Sequence, residues 1–175
     1  IPAALCMSMV KYGMDSLEYA ESEPSRVLEV INRIVEKSVD DNMFVSMFYG
    51  RYDVETSTFT YGSAGHEPAI HYSAAKKSYE ELDAKGLLLG ILPEGNYQQH
   101  EIQLQKDDLV IMMTDGVTEI RTDLDMDAMA KITSIVSAHK DKRAQQIVDE
   151  VFKELERMQN FELSDDFTLV ILKKN

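Results

Sequence analysis

Two acidic motifs each border an apolar run that is typical of a β-strand. The first places Asp115 and Gly116 directly after the apolar run 109–114, and the second places Asp165 and Asp166 just before the last apolar run of the chain. A strand end holds an aspartate rigidly, and a neighbouring glycine lets a ligand approach closely. Because carboxylate oxygens are the ligands that Mg²⁺ and Mn²⁺ prefer, these acids are candidate metal ligands.

Both motifs also have a simpler interpretation. Asp-Gly is common in turns, and the Ser-Asp-Asp sequence at 164–166 is also typical of a helix cap or a loop. Adjacent residues of a strand face opposite sides, so at most one of Asp165 and Asp166 points into a given cleft. Spacing alone therefore does not decide between a metal site and ordinary turns.

Other catalytic chemistries have weaker support in the sequence. It contains no Gly-x-Ser-x-Gly element for a nucleophilic serine, and its four histidines lack His-x-x-x-His zinc-ligand spacing. It also lacks a Walker-type or Gly-x-Gly-x-x-Gly phosphate loop, which ranks nucleotide transfer low. His66, beside Gly65 in a predicted loop, is the one histidine that we single out. A loop histidine bonded to the backbone is an equally good interpretation of it.

Composition excludes several classes of protein. The 175 residues are 44% hydrophobic and 28% charged, which suits one globular domain. With 18 basic and 31 acidic residues the net charge is −13, which argues against nucleic-acid and anionic-membrane binding. The single cysteine, Cys6, is expected to be buried, and it cannot form an internal disulfide. No apolar run is long enough to span a bilayer, and we expect a cytoplasmic protein that begins inside a longer chain.

Hydrophobic periodicity predicts helices on both sides of a strand-rich middle. Helical spacing predicts four helices, at 1–20, 24–42, 123–138 and 142–158. The first of these is apolar on several sides, so we expect it to be well buried. Apolar or alternating runs predict seven strands, the first of them central in a sheet: 43–51, 58–62, 69–72, 78–82, 99–104, 109–114 and 167–172. The predicted fold class is α+β with antiparallel strands, not an alternating βαβ fold.

Taken in order, these motifs resemble the SpoIIE/RsbU-type branch of the metal-dependent protein phosphatases, the PPM or type-two-C family. Ala-Gly-His-Glu-Pro at 64–68 is similar to the family's Ala-Gly-His-Asn-Pro loop, with Glu67 at the usual asparagine. The other matching segments are the helix start 1–5, the strand 44–50, Leu-Leu-Gly-Ile at 88–91, the strand and Asp-Gly motif 108–119, and Asp-Asp-Phe-Thr at 165–168.

The resemblance implies one PPM-type domain over 1–175, a β-sandwich flanked by helices on both faces with two Mn²⁺ or Mg²⁺ ions at one end of the sheets. It implies that Asp115 and Asp165 bind metal directly and form the catalytic pair. Asp166 would lie behind these ligands, Gly116 would keep the cleft open, and Glu119 and the Gly65–His66 loop would border it. The family's first metal-binding aspartates and N-terminal strands would lie upstream of Ile1, so the domain would be truncated at its N-terminus.

The function implied by the resemblance is hydrolysis of phosphoserine or phosphothreonine by a metal-activated water. The implied substrate is a phosphorylated anti-sigma-factor antagonist in a bacterial stress-response pathway, with an upstream activator protein and dimerisation through the upstream region. The alternative is a catalytically inactive PPM-fold binding module, which the lack of the upstream acids favours. The first helix, with Met7 and Met9, is a candidate regulatory helix, although ordinary core packing is the simpler interpretation of each residue.

Overall fold

The computed structural model describes residues 2–17, 23–38, 43–117, 128–157 and 166–175. The helices are α1 (Pro2–Asp15), α2 (Pro24–Ser38), α3 (Ala128–His139) and α4 (Ala144–Glu156). The strands are β1 (Met47–Asp53), β2 (Thr58–Ala64), β3 (Ala69–Ser73), β4 (Ser78–Leu82), β5 (Gln99–Gln103), β6 (Leu109–Met113) and β7 (Leu169–Lys173). All strand pairs are antiparallel. The chain divides into two compact units, the first Ile1–Pro68 with Asp83–Leu104 and the second Ala69–Leu82 with Gln105–Asn175.

The first unit is a three-stranded sheet, in the order β1-β2-β5, with α1 and α2. The apolar stripe of α2 recurs at helical spacing and contacts β2 and β1, so these side chains form the core of the unit. Gly62 of β2 permits this contact, because a Cβ atom there would lie 3.1 Å from the Leu28 Cδ1 atom. The buried residues of this core are Cys6, Val27, Leu28, Ile31, Val35, Ala64, Leu89 and Tyr97.

The second unit is a four-stranded sheet, in the order β4-β3-β6-β7, with α3 and α4. β6 lies between β3 and β7, and its continuous apolar sequence agrees with this central position. α4 presents Ile147, Val151 and Leu155, which are spaced by four residues, to the core of this unit.

Asn32 is a buried polar residue within the apolar stripe of α2. Its side-chain amide donates to the Leu92 carbonyl at 2.8 Å, and its carbonyl oxygen accepts from the Gly90 amide at 2.8 Å. The segment around 90–92 has no regular structure, so Asn32 supplies partners that a strand would otherwise supply. Gly90 itself has a φ of 92°, a conformation that other residues rarely adopt.

The predicted element order is confirmed. Two expectations for the first unit are wrong: that its first strand is central in a sheet, and that its first helix is well buried. β1 begins at Met47, and among the described strands it pairs with β2 alone, so it is not central there. Its apolar residues suggested a central strand because an apolar run does not encode the number of neighbouring strands. Phe44, which was assigned to this strand, lies before it and is exposed.

The expectation that α1 is well buried is also wrong. Cys6 is buried as predicted, and Gly13 lies against α2, where a Cβ atom would come within 2.8 Å of Ile31 Cδ1. The opposite side of α1 is exposed, including Met7 at 71% and Tyr12 at 73%, whereas Met9 is half-buried. Among the described elements α1 packs mainly against α2, which covers one face of it, so its apolar residues on other sides are left exposed. In the described residues, no helix has the length and apolarity needed to cross a membrane.

We expect Asn32→Ala to lower the free energy of unfolding by about 2 kcal/mol, because it leaves the Gly90 amide and the Leu92 carbonyl without their partner. Urea denaturation measures this change. The matched control is Arg33→Ala, an exposed neighbour on α2 that should change stability by less than about 0.5 kcal/mol. Equal losses in both variants would contradict the role of Asn32.

Candidate metal centre

The position of the candidate metal ligands depends on the pairing of β6 with β7. Their register places Met113 opposite Leu169, at the C-terminal end of β6 and the N-terminal end of β7. The Thr114 amide extends the ladder by donating to the Thr168 carbonyl at 3.1 Å. The residues that follow β6 and precede β7 therefore lie at the same end of this sheet.

Thr114 also joins the two segments through its side chain. Its hydroxyl donates to the Asp166 carbonyl at 3.1 Å and accepts from the Thr168 amide at 3.0 Å. Together with the backbone bond, Thr114 makes three hydrogen bonds to the segment before β7. Asp115 and Asp166 are thus held on neighbouring segments at one sheet end.

Asp115 begins a short 3₁₀ turn, Asp115–Val117, and its side chain is exposed. Gly116 is buried, whereas Asp166 is exposed. Asp165 and Glu119 lie outside the described residues, so their roles remain predictions. Of the second acidic pair the structure describes Asp166, and it places Asp115 near the segment that carries Asp166.

The donors described at this sheet end suit a hard cation. Magnesium is commonly bound by one or two carboxylates, with water and substrate phosphate completing its coordination. Asp115 offers an exposed carboxylate on a fixed strand end, which fits this requirement. Within the described ranges, no group of three or more His, Cys, Asp or Glu residues could hold a metal ion. A complete site therefore needs ligands from outside those ranges.

The Gly65–His66 loop belongs to the first unit and is fixed by its own neighbours. Gly65 has a φ of 64°, and a Cβ atom there would lie 2.7 Å from Leu88 Cδ2. The His66 amide donates to the Ser63 hydroxyl at 3.2 Å, and the His66 Nδ1 atom lies 3.1 Å from the Ser46 hydroxyl oxygen. The His66 ring therefore contacts a side-chain hydroxyl, which differs from the interpretation of His66 as a loop histidine bonded to the backbone.

Two groups of residues were missed by reasoning from sequence. Thr114 was included in a strand with no role of its own, and only the strand register reveals its contacts. His71 is buried, with its Nδ1 atom 2.8 Å from Glu80 and its Nε2 atom 3.2 Å from Asp108. Cross-strand pairing of His71 with Glu80 explains the first contact, and no spacing rule could have identified it.

The comparisons with known proteins define the class of this chain. Residues 1–175 match the family model of Stage II sporulation protein E, SpoIIE. The chain therefore belongs to the SpoIIE family.

Two individual proteins are similar to the chain, over very different shares of its length. The chain is 44% identical over 174 residues to the phosphoserine phosphatase RsbU of Bacillus subtilis (strain 168), a match that covers 99% of the chain and 52% of RsbU. It is 28% identical over 83 residues to protein IcfG of Synechocystis, which covers 47% of the chain and 13% of IcfG. The chain thus spans about half the length of RsbU and a smaller part of IcfG.

Solved structures confirm the predicted PPM-type fold. The RsbU and RsbW domains of Rv1364c from Mycobacterium tuberculosis match with a TM-score of 0.78 and 22% identity, covering 97% of this chain and 47% of that one. The SiaA PP2C domain of Pseudomonas aeruginosa matches with a TM-score of 0.78 and 15% identity, covering 100% and 71%. The manganese-presoaked SpoIIE phosphatase domain of Bacillus subtilis matches with a TM-score of 0.63 and 18% identity, covering 97% and 73%.

We expect Thr114→Val to speed hydrogen exchange at the Thr168 amide and to lower stability by about 1 kcal/mol, because this nearly isosteric change removes the hydroxyl that the amide bonds. Exchange measured by NMR and urea denaturation test this. Thr114→Ser keeps the hydroxyl and should stay near wild type. If Thr114→Ser lowers stability as much as Thr114→Val, the hydroxyl contacts do not account for the loss of stability.

Proposed function

We propose that this chain is the catalytic domain of a cytoplasmic, metal-dependent protein serine/threonine phosphatase. Its substrate in this proposal is a phosphorylated anti-sigma-factor antagonist of a bacterial stress-response pathway based on partner switching. The observation that carries the proposal is the 44% identity to the phosphoserine phosphatase RsbU over 99% of the chain. The position of Asp115 and Asp166 at one sheet end is consistent with it.

In this proposal Asp115 and Asp165 bind Mn²⁺ or Mg²⁺ directly, and Asp166 and Glu119 support them. Such ions, when bound, lower the pKa of a coordinated water and supply positive charge for the substrate phosphate. That positive charge matters here, because a chain with a net charge of −13 would otherwise repel a phosphorylated substrate. Gly116 has no side chain to obstruct the approach of the phosphate, and the Thr114 bonds hold Asp115 in place.

Regulation in this proposal comes from outside the described residues. An upstream activator protein would act through the segment before α1. The same segment would also supply the remaining metal ligands and a dimer contact. Exposed Met7 and half-buried Met9 on α1 would respond to that segment, because thioether side chains adapt easily to a new neighbour.

We expect Asp115→Asn to abolish Mn²⁺-dependent phosphate release without unfolding the protein, because the neutral amide lacks the negative charge with which a carboxylate holds the ion. The assay uses a longer chain that includes the upstream segment, which in this proposal supplies the family's first metal-binding aspartates. Phosphate release from a phosphoserine protein is measured with and without Mn²⁺, and circular dichroism reports folding.

The matched control is Asp83→Asn, which makes the same change at an exposed aspartate of the first unit and should retain full activity. Full activity of Asp115→Asn would contradict the catalytic assignment. If the wild-type chain releases no phosphate but binds a phosphoprotein, the alternative of an inactive PPM-fold binding module replaces the proposal.

A further inference from the structure

The end of the four-stranded sheet that lies opposite Asp115 collects basic residues. The strand register places the end of β3, the start of β4, the start of β6 and the end of β7 together. Four segments meet there, and we call them the basic end: 73–78, 105–108, 139–143 and 173–175.

Hydrogen bonds tie these four segments to one another. The Ala74 amide donates to the Asp108 carboxylate at 2.8 Å, and the Asp107 amide donates to the Lys174 carbonyl at 2.8 Å. The Lys173 ammonium donates to the carbonyls of Lys140 and Lys142, at 2.6 and 2.9 Å, which attaches the α3–α4 turn. The four segments that carry the charged groups of the basic end are therefore held together by hydrogen bonds.

The basic end differs sharply in charge from the rest of the chain. It contains eight of the 18 basic residues and three acidic ones, a formal charge of +5, which leaves −18 for the remaining residues. One of its three acids, Asp108, is buried and accepts from His71, Ala74 and Gln105, so it does not face solvent.

Several of these cations are available for a partner. In the described part of the chain, four have exposed side chains and form no ion pair: Lys76, Lys77, Lys106 and Arg143. Lys140 lies over the Tyr72 ring and donates to its hydroxyl at 2.9 Å, and this hydrogen bond raises the pKa of Lys140. Lys142 is paired with Glu150 and contributes less.

We propose that the basic end is a docking surface for a compact acidic patch on a partner protein. Charge complementarity favours such a partner, because opposite potentials steer association and fix orientation. A nucleic acid or a membrane presents an extended anionic surface, and binding to such a surface is disfavoured for a chain with a net charge of −13. A compact acidic patch avoids this repulsion, since charges are screened beyond a Debye length of about 8 Å at physiological salt.

This surface is separate from the candidate metal centre. The five residues of β6 span about 17 Å at ~3.4 Å per residue, and they separate the basic end from Asp115. A partner bound at the basic end therefore leaves the Asp115 end open, and the two binding events can occur together. The inference does not depend on the proposed phosphatase activity.

The test measures fluorescence anisotropy of a fluorescein-labelled deca-glutamate peptide with the 175-residue chain. We expect binding that weakens as sodium chloride rises. The triple variant Lys76→Gln, Lys77→Gln, Lys106→Gln should bind about tenfold more weakly, because each exposed charge pair contributes up to about 1 kcal/mol. These side chains are exposed, and they form no ion pair with the residues that the structure describes, so we expect the variant to fold, which circular dichroism verifies.

The matched control is Lys11→Gln, Lys37→Gln, Lys85→Gln, which removes the same charge from exposed lysines of the first unit. It should bind deca-glutamate within about twofold of wild type, since small general effects of net charge are screened. Three results would overturn the proposal: no binding by wild type, no loss in the basic-end variant, or an equal loss in the control. Phosphatidylserine vesicles and single-stranded DNA are tested alongside, and tighter binding to either would reassign the surface to a membrane or a nucleic acid.

Discussion

The antiparallel pairing of β6 with β7 is the constraint on which the candidate site depends. It places Asp115 and Asp166 at one end of the sheet, although 50 residues of sequence separate them. The three hydrogen bonds of Thr114 continue this pairing beyond the ladder and hold the segment that carries Asp166. A shift of one residue in this register would turn every side chain of β7 to the other face of the sheet.

The same register also determines the opposite end of the sheet. Leu109 pairs with both Tyr72 and Lys173, so three strands terminate together and bring four basic segments into contact. Buried Asp108 stabilises this end by accepting from two backbone amides and from His71. The second unit therefore carries two exposed aspartates, Asp115 and Asp166, at one end of its sheet and the basic end at the other.

The sequence predicted the elements with strong patterns and the acids beside them. The apolar run of β6, the helical spacing of α4 and the order of the strands all follow from local periodicity. Contacts that depend on register or on neighbours could not be predicted: the Thr114 bonds, the His71 cluster and the basic end join residues far apart in sequence. The position of β1 at the edge of its sheet among the described strands, and the exposure of Met7, depend on how many neighbours an element has, which hydrophobicity does not encode. Metal binding by Asp115 and Asp165 remains a prediction.

The most direct test of the central claim is to locate Mn²⁺ by NMR on the longer chain that also carries the segment before α1. Bound Mn²⁺ broadens the amide signals of nearby residues, so a titration at substoichiometric metal reveals where the ion binds. The account predicts that signals of Thr114, Asp115, Gly116 and Asp166 broaden first, while those of Lys76 and Lys174 at the other sheet end remain sharp. Broadening that begins elsewhere, or that is uniform along β6, would show that these acids do not form the metal site.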